Sequence, residues 1–215
     1  MERYTKIVQP VKTRKQLAAE ETQRVIVDAA SRLFLEQGYH ATSIGRIASE
    51  AGVAVQTIYN AVGSKRDLLS RVLDFAAAGD RSPVAVPQFM REQAEREPDP
   101  RRMIAQLVEF WRAAFPRTAP VFRIMREAAA ADAEIAVLER GRAAQRLGNY
   151  RQAAQLLADR GALRAGLTID GAAAAIFAIG HPEIYRALVL DGDWDVDAWA
   201  TWLQATLEAA LLSTA

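Results

Sequence analysis

The apolar positions of this chain recur at three-to-four spacing along nearly its whole length. Between about Leu17 and Gln37, residues Ile26, Ala30, Leu33 and Phe34 share one helical face, and Gly38 supplies a stop, which predicts a first helix. Thr42 then precedes Ile44, Ile47 and Ala48, so it is expected to cap a short second helix ending near Ala51-Gly52. A third apolar set, Val55, Ile58, Tyr59 and Val62, ends at Gly63. Ser64-Lys65-Arg66-Asp67 has the form of a capping box, with Asp67 also favourable to the dipole of the first turn. It opens a fourth helix through Leu68, Leu69, Val72 and Phe75.

The strongest break follows at Gly79-Asp80-Arg81-Ser82-Pro83, reinforced by Pro87, Pro98 and Pro100. Beyond it, Asp99 and Pro100 start a helix through Ile104, Leu107, Val108, Trp111 and Phe115 that is expected to stop before Pro116. Thr118 is expected to open another through Phe122 and Met125. Asp132 begins a long helix to Arg160-Gly161, and Thr168 begins one running to about Leu190 that Pro182 should kink. A last helix is capped near Asp195. No segment alternates with period two, so the fold class is all-α. The chain divides into an arm at 1–17, a compact four-helix unit at 18–78 and a larger helical unit at 79–215.

Composition narrows the function classes. Half the residues are hydrophobic (51%) and a quarter charged (25%), as a packed globular chain requires. Cysteine is absent, which removes disulfides, thiol nucleophiles and thiolate metal sites and fits a reducing, cytoplasmic setting. The start lacks the apolar core of a signal peptide, and the longest apolar run, Ala172 to Ile179, is short of a membrane span, so no membrane is expected as a partner. The formal net charge is +1, but residues 1–70 hold ten Lys/Arg against seven Asp/Glu. Most of that excess lies before residue 20, in an arm suited to a phosphate backbone; a solvated tail accounts for the same charge.

Thr42 to Leu69 carries the clearest mechanism. Its two short helices are joined by Ala51-Gly52-Val53-Ala54, the layout of a helix-turn-helix, in which Ile47, Ala48, Val53 and Ile58 pack the pair together. The second helix then offers Val55, Gln56, Thr57, Tyr59 and Asn60 to a DNA major groove. Gln and Asn can pair with adenine, Thr can bond either way, and Val offers apolar contact. Gln56 and Asn60, four apart, share one face.

Residues 22–72, including AASRLFLEQGYHATSIGRIASEAGVAVQTIY and then GSKRDLL, resemble the DNA-binding domain of the TetR family of bacterial transcriptional regulators. The resemblance implies that Tyr59 contacts phosphate or a base, Lys65 holds phosphate and Thr42 binds the DNA backbone. Ser43 and Arg46 stand beside Thr42 as further contacts. Two positions depart from the family pattern: Ala54 stands where a capping serine is usual, and Val62 where a phenylalanine is usual. The resemblance also implies that the second unit holds a small-molecule effector and forms a homodimer, as a palindromic double-stranded operator with half-sites one helical turn apart requires. Candidate effector contacts are Phe110, Trp111, Phe122, Met125, Tyr150, Phe177 and His181, which suit an apolar or aromatic ligand. Candidate dimer contacts are Ile176, Ile184 and Leu188 together with Trp199, Trp202, Leu203, Thr206, Leu207 and Ala210 of the last helix; packing within the chain is the alternative for that face.

Catalytic and metal readings find no support in the sequence. The histidines, His40 and His181, are far apart, and Asp191-Gly192-Asp193-Trp194-Asp195 resembles half a calcium loop but has Trp202 where the closing glutamate belongs. There is no P-loop, GxSxG or HExxH. No cofactor, metal or enzyme activity is expected. The reading is a ligand-released repressor; a helical ligand-binding or scaffold protein with a degenerate helix-turn-helix is the alternative.

Overall fold

The computed structural model describes residues 13–79 and 86–213, and among these every regular element is helical, with a single isolated backbone bridge between Leu163 and Leu212. α1 (Arg14–Ala41) opens with a capping box between Thr13 and Gln16 and is interrupted at Gly38, whose φ of 80° and ψ of 169° break the helical path as its sequence position predicts. α2 (Ile44–Ala51), α3 (Val55–Ala61) and α4 (Lys65–Ala78) follow. Gly52 makes the turn between α2 and α3 in the left-handed conformation (φ 66°, ψ 31°), with its amide bonded back to Ala48 and Ser49. α4 begins with the expected reciprocal box: the Ser64 hydroxyl accepts from the Asp67 amide, and Asp67 accepts from the Ser64 amide at 3.0 Å. Arg3, Lys6 and Lys12 of the basic arm and the break at 80–83 lie outside the described residues.

Beyond the break the structure corrects two expectations. α5 (Val86–Arg96) occupies a stretch whose prolines read as a pure break; Pro87 stands in its first turn, where a missing N–H has no partner to lose. α6 (Pro100–Ala129) is one helix, not two: it passes through Pro116 and Pro120, and Thr118 does not cap anything but is buried inside it, donating to the Ala114 carbonyl at 3.1 Å. Each interior proline forfeits a helical hydrogen bond, yet Ala114, Phe115, Thr118, Ala119 and Val121 are buried on both sides of the interruption, and that packing overrides the local cost. α7 (Ala133–Asp159), α8 (Ile169–Ile179) and α10 (Val196–Leu211) are capped by Asp132, Thr168 and Asp195, each accepting from amides of its first turn. Between α8 and α10 the chain breaks at Gly180-His181, resumes as α9 (Pro182–Tyr185) and widens into a π turn at Arg186–Leu190.

Two hydrophobic clusters fill the interior, and α6 serves both. Its C-terminal part, Val121, Ile124, Met125 and Ala128, joins Ile26, Phe34, Ile47, Ile58, Leu68 and Leu69 of the first four helices. Its N-terminal part, Met103 to Ala119, packs with Trp199, Leu203, Leu207, Ile176 and Tyr185. The changeover falls at Pro120, so the proline segment is the joint between the cores. In the second core Gly180 lies against Trp111 so closely that a Cβ there would stand 2.2 Å from the indole Cη2. The stretch 169–190 is, by length and composition, apolar enough to cross a membrane, although its longest uninterrupted apolar run is the shorter Ala172 to Ile179. It is broken at Gly180-His181, and only 28% of it is buried, leaving apolar surface uncovered on a single chain.

Candidate nucleic-acid interface and ligand cavity

α3 is held from behind by apolar contacts and by one long-range polar tie. Ile58 is fully buried with Ile47 and Ala48 of α2, and Gln23 of α1 donates to the Ala61 carbonyl at 3.1 Å, fixing the C-terminal end of α3. Sequence reasoning missed Gln23; nothing in its local pattern distinguishes it from a solvated helix residue. With its back fixed, α3 turns Val55, Gln56, Tyr59 and Asn60 to solvent, Val55 at 43% and Tyr59 at 50% exposure, while Thr57 is half-buried. Gln56 Nε2 donates to Asn60 Oδ1 at 3.1 Å. That bond leaves the Gln56 carbonyl oxygen and the Asn60 amide N–H groups free, one acceptor and one donor set, the pair that an adenine edge matches. No side-chain hydrogen bond caps α3 at Ala54, whose carbonyl accepts from the Thr57 amide at 2.9 Å.

Around this face stand the basic groups. Arg46 is exposed on α2. Lys65, at the start of α4, lies half-buried with its ammonium 4.2 Å from the centre of the Tyr39 ring; burial pulls its pKa below the ordinary lysine value, with Asp132 acting in the opposite sense. Burial likewise pushes the Tyr39 hydroxyl up to about 12, so the ring under Lys65 stays neutral. Arg66 is occupied by Asp67 at 3.0 Å.

Thr42 is corrected on both expected roles. It is 1% exposed, and its hydroxyl donates inward to the Gly38 carbonyl at 2.8 Å and the Leu33 carbonyl at 3.2 Å, sealing the break in α1. The cap of α2 is the exposed Ser43, whose hydroxyl accepts from the Arg46 amide at 3.2 Å. Adjacent Thr and Ser residues offer the same capping chemistry to sequence reasoning, and only the path of the chain after Gly38 decides between them.

The sequence pattern of the family described as bacterial regulatory proteins, tetR family, matches residues 26–72, which hold α2, α3 and the start of α4. This segment therefore carries the pattern of the tetR family, and the match spans less than a third of the length of the curated relatives. The regulator HbdR of Aromatoleum sp. (strain CIB), an HTH-type transcriptional regulator, is 48% identical over 50 residues, and the match spans 23% of this chain and 22% of HbdR. Over most of the length the likeness is one of fold. NalD of Pseudomonas aeruginosa, described as the secondary repressor of the MexAB-OprM multidrug efflux pump, superposes with a TM-score of 0.68 over 91% of this chain and 98% of its own at 23% identity. SmeT, solved as a complex with triclosan, superposes with a TM-score of 0.66 over 90% of this chain and 92% of its own at 20% identity.

Extending beyond the tetR-like segment, a cavity of about 1500 Å³ lies among α1, α4, α5, α6 and α7. Of the residues expected to line it, Phe110, Trp111, Phe122 and Tyr150 do. Met125 does not: it is fully buried in the first core. Phe177 and His181 stand behind the wall, Phe177 edge-on to Tyr150 at 6.4 Å and His181 against Phe177 at 5.7 Å. Polar wall residues that the sequence reading did not name include Gln106, Arg142 and Arg146. Arg142, from α7, reaches across to α4, donating to the Ser70 carbonyl at 3.1 Å and pairing with Asp74 at 2.8 Å. Arg117, from α6, donates to the Ala76 carbonyl of α4 at 2.9 Å. The cavity wall and the helix that carries Lys65 are therefore tied directly.

The expected dimer contacts separate into two sets. Ile176, Trp199, Leu203 and Leu207 are 0–1% exposed and belong to the chain's own core, so packing within the chain, not a partner, accounts for them. Ile184, Leu188, Trp202, Thr206 and Ala210 are half-buried and remain on the outer side, where Trp202 meets the exposed Trp194 edge-on at 6.0 Å. Among the described residues no group of three or more His, Asp or Glu is placed to hold a metal ion.

Proposed function

We propose that the chain is a ligand-responsive transcriptional repressor that binds a palindromic operator as a homodimer and releases it when a small molecule fills the cavity. The single observation that carries this reading is the connection of an open major-groove face on α3, through α4, to a cavity wall made by α6 and α7. Gln56 and Asn60 read base edges, Val55 and Tyr59 add apolar and stacking contact, and Ser43, Arg46 and Lys65 meet phosphates. An occupant that spreads α6 from α7 shifts the Arg117–Ala76 and Arg142–Asp74 ties and with them the angle of α4. A preference of about 1–3 kcal/mol for one arrangement changes operator occupancy markedly. The uncovered apolar face of α8, α9 and α10 supports a two-fold partner, and the description of NalD as a repressor supports repression as the output.

Selection of random duplex DNA on the purified protein, followed by sizing of the complex, tests the proposal. A shared inverted repeat bound by an even number of chains is the expected result. Salt-sensitive binding with no enriched sequence would overturn it in favour of a helical ligand-binding protein whose helix-turn-helix has degenerated, for which uncapped Ala54 is the structural motive.

A further inference from the structure

Arg146 is a half-buried cation without an acid partner. Its guanidinium carbon sits 4.6 Å from the centre of the Phe122 ring and 5.2 Å from that of Phe177, so two aromatic faces hold it in place, and the residue lines the cavity. Its Nε is shielded from solvent and has no hydrogen-bond partner. The charged groups around it are already engaged: Arg126 bridges Glu183 at 3.1 Å and Glu139 at 3.8 Å, and Arg186 pairs with Glu183 at 2.9 Å. Among the described residues no carboxylate lies within ion-pair distance of Arg146.

Its remaining neighbour deepens the imbalance. Arg146 Nη2 lies 3.5 Å from His181 Nε2. The other ring nitrogen, Nδ1, accepts from the Glu183 amide at 3.2 Å and so carries no proton. The neutral ring therefore bears its hydrogen on Nε2, and two N–H donors face each other with no acceptor between them. Burial, then the charges of Arg146 and Arg126, hold the His181 pKa below the ordinary histidine value, against the opposite pull of Glu183. Burial also lowers the pKa of Arg146. A site with surplus donors, a desolvated cation and aromatic walls is complementary to an anion with an apolar body.

We propose that the cavity takes a small organic acid, its carboxylate bound by Arg146 and its apolar part lying along Phe110, Trp111 and Phe122. This rests on the reading of the cavity as the effector site, and it replaces the purely apolar or aromatic ligand suggested by the lining rings alone.

The experiment compares 3-phenylpropanoate and decanoate with their primary amides by isothermal titration on the full-length protein, on Arg146→Gln and on Arg146→Met. Expected is at least tenfold tighter binding of each acid than of its amide by the unmodified protein, and loss of that preference in both variants. The variants should unfold at the same or a higher temperature, because a partly desolvated charge without a counter-ion has been removed. Equal affinity for acid and amide, no binding of either acid at millimolar concentration, or an acid preference that survives both substitutions overturns the proposal. Release of the selected operator is scored separately. Acids that bind at Arg146 without releasing DNA leave the anion site standing and sink the effector reading. Neutral amides that release DNA as well as the acids do so do the reverse.

Discussion

At the scale of single residues, the interface separates groups that touch DNA from groups that build the surface. Lys65→Ala should weaken binding to every sequence alike and make the dependence on salt shallower by about one unit of slope, because one phosphate contact is lost. Gln56→Ala and Asn60→Ala should instead relax preference at one base pair per half-site, with a cost of about 1–3 kcal/mol confined to the matched operator. Titrations on matched and mutated operators at two salt concentrations distinguish the two; equal losses on all sequences for Gln56→Ala would refute its role as a base reader. Thr42→Val is the informative third case. Its hydroxyl serves the carbonyls of Leu33 and Gly38, so the substitution should cost about 1 kcal/mol of folding stability and leave the salt slope unchanged, as urea unfolding and the same titrations can check. These side chains were legible to different degrees for physical reasons. Exposure on α3 follows from helical period, so Gln56 and Asn60 could be read from the sequence. The inward turn of Thr42, the reach of Gln23 to Ala61 and the isolation of Arg146 depend on partners distant in the chain, and no local pattern encodes them.

At the scale of elements, most caps and glycines were legible and the prolines inside α6 were not. Ser64, Asp132, Thr168 and Asp195 open helices where their local pattern places them, because a cap is satisfied within its own first turn. Pro116 was read as a terminator, whereas burial along α6 carries the helix through it. Pro116→Ala should therefore raise stability by about 1–2 kcal/mol in chemical denaturation, the gain in helix propensity less the loss of a stiff unfolded chain. If the joint between the two cores needs its irregularity, the same variant should bind operator but respond less to ligand. α3 allows the opposite kind of test. Ala54 offers no side-chain oxygen to the helix behind it, so Ala54→Ser should stabilise the protein by about 1 kcal/mol, measured as a shift in the urea midpoint without a change in slope.

At the scale of the whole molecule, the helix pairs that end the chain have two sides with different duties. Trp199 is fully buried among Phe115 and Tyr185, while Trp202, one turn further on, is half-buried beside Trp194 on the outside. Trp202→Asp should yield a folded monomer with weakened operator binding by analytical ultracentrifugation, whereas Trp199→Ala should cost about 3–5 kcal/mol and compromise the fold itself. A dimeric Trp202→Asp protein would move the interface elsewhere. Amphipathic spacing marked both tryptophans as partner contacts, since the period of a helix reports that a face is covered but not by which chain. The indole of Trp111 joins these surfaces: one edge looks into the cavity and another closes on Gly180 at the break between α8 and α9. The ring therefore sets the order in which the two positions can change. A methyl group at 180 fits only when the ring at 111 shrinks or moves, so in descendants of this sequence a change at 180 has to follow one at 111 and cannot precede it.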